Sequence, residues 1–375
     1  MSKNRRSFLK KAGGLAGIGL AGPMDLHLPG AVRSAAYLRD LGMQLCLAYF
    51  WGIEEWKTAL ARQMDVMGAV GGINPNMAGL NSQKPWSRKV IRGVKEAWKK
   101  EGLTLTVIEG PPSLGTRTKL GLEGRDEEIS NFITLMKNLS LEGIDTICYN
   151  WMPVISWART DMERKGRGGA LVSAFDIEDI KDKPLISDYG ELSHERMWDN
   201  LQYFLDAVIP EAEKYRIKLA LHPDDPPISH IQGIPRIMTS VDAFKRLLDM
   251  YPSFFNGITF CQGSFASMGD KDNEVDIPSA IRYFGQNEAI HFVHFRDVKG
   301  DKNNFEETFH DEGKTDMFAA MQALKDLKFR GPIRPDHVPT MAGDSNEKPG
   351  YSTIGTLYAI GYIRGLMEGV GKSSH

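Results

Sequence analysis

The 375 residues, 42% hydrophobic and 25% charged, have the composition of an ordinary globular protein and the length of one large domain or two small ones. A net charge of −2 argues against a nucleic-acid or anionic-membrane partner, and three cysteines are too few for a disulfide framework.

In chain order, the first feature is Asn4-Arg5-Arg6-Ser7-Phe8-Leu9-Lys10 and the Gly/Ala-rich run from Ala12 to Gly22. The pattern resembles a twin-arginine export signal, and the run is too short and glycine-rich for a stable membrane span. Residues 1–36 are therefore expected to be a leader, residues 37–375 a single folded domain, and the periplasm the destination. A basic tail on a cytoplasmic enzyme is the alternative.

Eight short apolar runs follow, and the spacing predicts strands over 43–50, 67–73, 103–109, 143–149, 217–222, 256–261, 290–295 and 331–335. Helices are predicted between and after them, over 53–65, 85–101, 126–140, 194–215, 240–250, 277–286, 316–328 and 352–368. Continuous apolar strands alternating with helices imply a parallel sheet covered on its outer face. Eight such units closing on themselves make a (β/α)₈ TIM barrel. A charged insert over about 160–193 follows strand four as a candidate lid. Cys46 and Cys148 lie inside strand-like runs and read as small buried hydrophobes.

His222, Cys261, His294 and Asp336 stand where the last four runs end, 39, 33 and 42 residues apart. Local structure cannot unite residues so distant. Neighbouring strands with their C-terminal ends on one rim can, and a TIM barrel carries its chemistry on that rim. Two imidazoles, a thiol and a carboxylate suit a divalent transition metal such as manganese, iron or zinc. His291 and His294 are an odd offset apart, so strand alternation lets only one face the site, and His294 lies nearer the rim. Asp336 and His337 are adjacent, so one can bind metal while the other meets substrate.

The segments CYNWMPVISWARTD (148–161), LHPDDPP (221–227), GIPRI (233–237), FCQGS (260–264), RPDH (334–337) and PGYSTIG (349–355) resemble those of the mannonate dehydratase family. The similarity runs from about residue 41 to 368. It implies a metal-dependent barrel, related to xylose-isomerase-like enzymes, that dehydrates D-mannonate to 2-keto-3-deoxy-D-gluconate in hexuronate catabolism. It places the metal ligands on the same four residues, with Mn²⁺ or Fe²⁺ the expected ion, and an acid–base pair on His337 and Tyr351. Asn150, Trp157 and His310 lie in matching segments and become candidates to meet sugar hydroxyls or support the ligands. The sequence departs from the family pattern after strand one, at Ala48-Tyr49-Phe50-Trp51-Gly52, and after strand two, at Gly72-Ile73-Asn74-Pro75-Asn76. Both departures bear on which aldonic acid fits.

Dehydrating a sugar acid removes a weakly acidic proton beside the carboxylate and expels hydroxide from the next carbon, which requires a base, an acid and stabilisation of negative charge. Arg159, Arg236 and Arg296 are candidates to pair with the substrate carboxylate through their planar forks. Two other readings use the same barrel: a sugar isomerase or epimerase, and an exported carbohydrate-binding protein without catalysis. The presence of both His337 and Tyr351 favours the lyase, because binding alone needs no acid–base pair. The expected partner is a small sugar acid, with homo-oligomerisation a further expectation.

Overall fold

The computed structural model describes residues 41–270 and 272–373; the expected leader with its Arg5-Arg6 pair lies outside the described residues. Strands β1 (Gln44–Ala48), β2 (Gly68–Gly71), β3 (Thr104–Glu109), β4 (Thr146–Asn150), β5 (Lys218–His222), β6 (Asn256–Cys261), β7 (Ile290–His294) and β8 (Pro332–Arg334) form the barrel. Each pairs in parallel with its sequence neighbours, and β8 closes onto β1 through Gln44–Pro332 and Leu45–Ile333. The helices that follow these strands in turn are α1 (Glu55–Gln63), α2 (Arg88–Lys100), α3 (Arg125–Leu141), α4 (His194–Tyr215), α5 (Val241–Met250), α6 (Ile277–Gln286), α7 (Met317–Asp326) and α8 (Thr353–Lys372). The fold is the (β/α)₈ barrel expected from the sequence.

The local causes are ordinary ones. β6 and β7 are buried at every position, as continuous apolar strands covered on both faces should be. Helix α2 buries Val90, Ile91, Val94 and Trp98 on one stripe, while Lys89, Arg92, Lys99 and Lys100 stay exposed. Each such apolar side chain contributes roughly 1.5–3 kcal/mol by leaving water. At the start of α4 the Ser193 hydroxyl accepts the free Arg196 N–H, which sets where the helix begins.

Inside the barrel Cys46, Val70, Val107, Cys148, Ala220 and Phe292, one each from β1 to β5 and from β7, make a small cluster separate from the sheet–helix core. Two residues further along β3, β4, β5 and β7, the same inward face carries Glu109, Asn150, His222 and His294 to the rim. Polar rim residues therefore converge because each follows an apolar plug residue on the same strand face. His291 has the opposite parity, and its Nε2 lies 2.6 Å from the Phe254 carbonyl oxygen, away from the site.

The stretch expected as a lid is partly built into the fold. Asp161–Lys165 and Leu171–Asp176 form a hairpin whose second strand pairs with Asn304–Glu307, part of a hairpin that follows β7. These strands make a four-stranded antiparallel sheet, and Leu171 also bridges to Thr340 beyond β8. The first half of the insert is thus a fixed wall, and its pairing partner came from a segment too short and polar to announce itself as a hairpin.

Candidate active site

Four side chains from four strand ends meet at the rim. The ligand atoms of His222, Cys261, His294 and Asp336 all lie within 4.8 Å of one another. His222 Nδ1 is 2.7 Å from the Pro223 carbonyl oxygen, so that nitrogen carries the proton and Nε2 presents its lone pair. Nε2 lies 3.2 Å from His294 Nδ1, and His294 Nδ1 lies 3.6 Å from an Asp336 carboxylate oxygen. Cys261 Sγ is 3.6 Å from the same Asp336 oxygen and accepts a hydrogen bond from Ser264 at 3.1 Å.

The charge states suit a cation. Burial works against a thiolate at Cys261, but the charge of Arg296 and the neighbouring His222 outweigh it and hold the thiol well below its usual range. Burial likewise opposes ionisation of Asp336, and His337, Arg334 and His294 together hold it far below the usual carboxylate range. For His294 burial and Arg334 oppose protonation, while Glu109 and Asp336 more than reverse this. The raised proton affinity of His294 reflects the negative charge that Glu109 and Asp336 place around it. His294 Nε2 has no hydrogen-bond partner among the described residues and lies 3.6 Å from Glu109. A soft thiolate, two imidazoles and a carboxylate in one cluster fit a divalent transition ion.

His337 and Tyr351 stand beside this cluster, their rings 5.5 Å apart and edge to face. The Tyr351 hydroxyl donates to Asp336 at 3.4 Å, and burial together with the Asp336 charge pushes its pKa well above the phenol range. The hydroxyl therefore keeps its proton. Phe50 and Trp51, each 5.5 Å from the Tyr351 ring, wall its outer side. All of these border a cavity of about 510 Å³ that also reaches Glu109, Asn150, Trp157 and Arg334.

The remaining expected residues divide. Asn150 lines the cavity, its carbonyl oxygen accepting from Lys119 at 2.9 Å and from the Met152 N–H at 3.1 Å. Trp157 lines it too, with its ring 5.1 Å from His337 and its indole N–H without a hydrogen-bond partner among the described residues.

The three arginines expected at the substrate carboxylate are engaged elsewhere. Arg159 makes a two-pronged pair with Asp225 at 2.6 and 3.0 Å and a 2.6 Å bond to Glu307. Arg296 donates to Asp336 at 2.8 Å, to Glu307 at 2.7 Å and to Asp225 at 2.7 Å. A Cβ on Gly263 would sit 2.6 Å from Arg296 Nη1, so a glycine is needed for this guanidinium to lie where it does. Arg236 serves Asp224 at 3.3 Å and the Ile155 carbonyl at 2.6 Å. None of the three lines the cavity, because buried carboxylates nearby already occupy their forks. His310 is also off the cavity: its Nε2 lies 2.7 Å from the Phe295 carbonyl oxygen, and burial pushes its pKa down to about 4.

Two cations do line the cavity: Lys348, which pairs with Glu54 and lies over the Trp51 ring at 4.6 Å, and Arg334, which opens the RPDH segment. Arg334 pairs with Glu109 at 2.9 Å and with Asp336 at 2.7 Å, tying the end of β3 to the end of β8 across the barrel. Strand parity could have found it, since Arg334 lies two residues before Asp336.

The fold and the site define an α/β-barrel enzyme in which a histidine–tyrosine pair stands beside a cluster able to hold a divalent ion. The sequence matches the D-mannonate dehydratase (UxuA) family over residues 43–187 and 183–375, and the chain belongs to that family. It is 38% identical over 314 residues to the mannonate dehydratase of Streptococcus agalactiae serotype Ia, covering 77% of this chain and 88% of the relative. To the mannonate dehydratase of Thermotoga petrophila it is 35% identical over 360 residues, covering 87% and 98%. The crystal structure of mannonate dehydratase from Streptococcus suis serotype 2 superposes with a TM-score of 0.78 at 32% identity, covering 88% of this chain and 94% of that one. The 3-keto-D-glucoside 4-epimerase YcjR from E. coli shares the fold at 13% identity and a TM-score of 0.53.

Proposed function

We infer that this protein is a hydro-lyase that removes water from D-mannonate to give 2-keto-3-deoxy-D-gluconate. The observation that carries the reading is the pairing of His337 and Tyr351 on one wall of the cavity, next to the four-residue ligand cluster, in a chain of this family. His222, Cys261, His294 and Asp336 would hold a divalent ion, with manganese or iron the proposed identity. When bound, such an ion supplies positive charge against which a sugar-acid carboxylate and its neighbouring hydroxyl can be held.

The chain's own groups do the proton transfers. His337 takes the proton from C2 of the aldonate, and the electron pair left behind forms the C2–C3 double bond as the C3 hydroxyl departs. Tyr351, held protonated, gives its proton to that leaving oxygen, which departs as water. The enol so formed rearranges to the 2-keto acid. Arg334 is the guanidinium nearest this chemistry, and the unpartnered Trp157 N–H is a donor for a substrate hydroxyl. Phe50 and Trp51 shield the tyrosine from water.

The test is to load the protein with Mn²⁺ or Fe²⁺ and supply D-mannonate. Appearance of a 2-keto-3-deoxy acid is expected; an isomeric sugar acid, or binding without turnover, would refute the lyase reading. We also propose export by the twin-arginine route, on the strength of the Arg5-Arg6 segment. Changing both arginines to lysine should leave full-length protein in the cytoplasm, and periplasmic protein in that variant would disprove it.

A further inference from the structure

The carboxylate behind His337 belongs to Glu307, a residue no motif marks. Its Oε1 lies 3.0 Å from His337 Nδ1. The same carboxylate accepts from Arg159 at 2.6 Å and from Arg296 at 2.7 and 2.8 Å, so two guanidiniums converge on it. A buried carboxylate between two arginines stays ionised, and an ionised carboxylate can only accept hydrogen bonds. The proton in the 3.0 Å contact must then sit on the imidazole.

We propose that Glu307 is the positioning residue of this site: it takes the Nδ1–H of His337 as a hydrogen bond and so leaves Nε2 as the ring's single basic nitrogen, on the cavity side. The proposal rests on the dehydratase reading for what His337 does, and on geometry alone for how it is held. Nε2 lies 3.9 Å from the Asp336 oxygen that also receives the Tyr351 hydroxyl, so the ring's open end looks towards the proton donor. The other approaches to the ring are closed. Trp157 packs at 5.1 Å, and a Cβ on Gly350, whose φ is +83°, would lie 3.0 Å from His337 Cδ2.

Glu307 reaches this place through the small sheet. It ends the strand Asn304–Glu307, which pairs with Leu171–Asp176 of the insert, and Phe305 packs on Phe175 with ring centres 5.8 Å apart. The insert after β4 therefore acts on the reaction through this pairing: it anchors the strand that aims the carboxylate. A neutral imidazole exists as two tautomers, and a fixed acceptor at one nitrogen selects the tautomer whose other nitrogen can take a proton.

Two measurements test this. In protein labelled with ¹⁵N-histidine and loaded with Zn²⁺ as a diamagnetic probe, the His337 resonance, assigned by its loss in His337→Asn, should show Nδ1 protonated and Nε2 bare. A resting Nε2–H tautomer would overturn the proposal. In Glu307→Gln, which keeps the shape, kcat with manganese should fall by about tenfold or more, with KM within about threefold and metal stoichiometry unchanged. Unchanged kcat, or a parallel loss of bound metal and substrate affinity, would mean that Glu307 is merely structural. Should the glutamine variant fail to fold, the labelled wild-type protein still decides the tautomer. A wild-type protein inert towards D-mannonate would defeat the dehydratase reading and leave the nitrogen measurement to judge Glu307 alone.

Discussion

Two buried groups of charged side chains meet at Asp336, and the chain assembles them differently. His222, Cys261 and His294 come from the last residues of β5, β6 and β7, with Asp336 two residues beyond β8, so the barrel's backbone sets their positions. Arg159, Asp225, Arg296 and Glu307 come from the segments after β4, β5 and β7, and they satisfy one another through forked hydrogen bonds. The first group leaves work undone: two imidazole nitrogens face each other at 3.2 Å, and the far nitrogen of His294 has no hydrogen-bond partner among the described residues. The second group is nearly saturated. A saturated charge cluster is scaffold, whereas an unsaturated one of mixed soft and hard ligands is where a cation belongs.

The sharpest way to break this contrast is at the shared residue. Asp336→Asn should remove both metal and activity, because it takes away the charge of a proposed ligand and one of the two oxygens that accept from Arg296, Arg334 and Tyr351. Metal affinity should fall by more than the roughly 10–100-fold typical of an outer-shell change. Full metal content in the purified variant would show that Asp336 is not a ligand. Tyr351→Phe comes next; it keeps the ring and removes only the hydroxyl with its 3.4 Å bond to Asp336. It should retain metal and substrate while losing turnover by about 10²–10⁴-fold. Wild-type turnover there would make the tyrosine structural.

Arg159→Met addresses the saturated cluster. It leaves Asp225 and Glu307 to share Arg296, and breaking a buried pair in this way costs about 3–5 kcal/mol. Urea unfolding should register that loss while the metal stoichiometry of the folded fraction stays unchanged; loss of metal at unchanged stability would reverse the roles assigned to the two clusters.

The smallest effect is one of pH. At Glu109 burial favours the neutral acid, but Arg334 and His294 prevail and hold the carboxyl at about 2 against an ordinary 4.5. A carboxyl whose pKa is depressed by folding contributes stability above its unfolded value and loses it as the pH falls towards the folded one. The stabilisation should therefore be complete above about pH 4.5 and fade between there and about pH 2. Glu109→Gln should flatten this part of the acid-unfolding curve, and an unchanged curve would show that the ion pair with Arg334 adds nothing.

Much of this was legible before folding was considered. All eight strands and eight helices lie within a few residues of where apolar spacing put them, since a parallel barrel needs continuous buried strands and striped helices. The gathering of His222, Cys261, His294 and Asp336 also followed, because strand ends in a barrel share one rim. The three arginines pair away from the cavity for an equally physical reason. A sequence shows that Arg159, Arg236 and Arg296 have forks to offer, but not that Asp224, Asp225 and Glu307 are folded against them.

The sequence by itself determined the barrel, the order of its units and the rim residues of matching parity, because strand periodicity and chain order act locally and in register. Only the tertiary structure decided which charges cancel, that Arg334 rather than Arg159 faces the cavity, and that Glu307 backs His337. Those outcomes depend on contacts between segments as far apart as Glu109 and Arg334. No local pattern encodes such a contact, because in a low-dielectric interior a charge takes whichever partner the closed fold brings near.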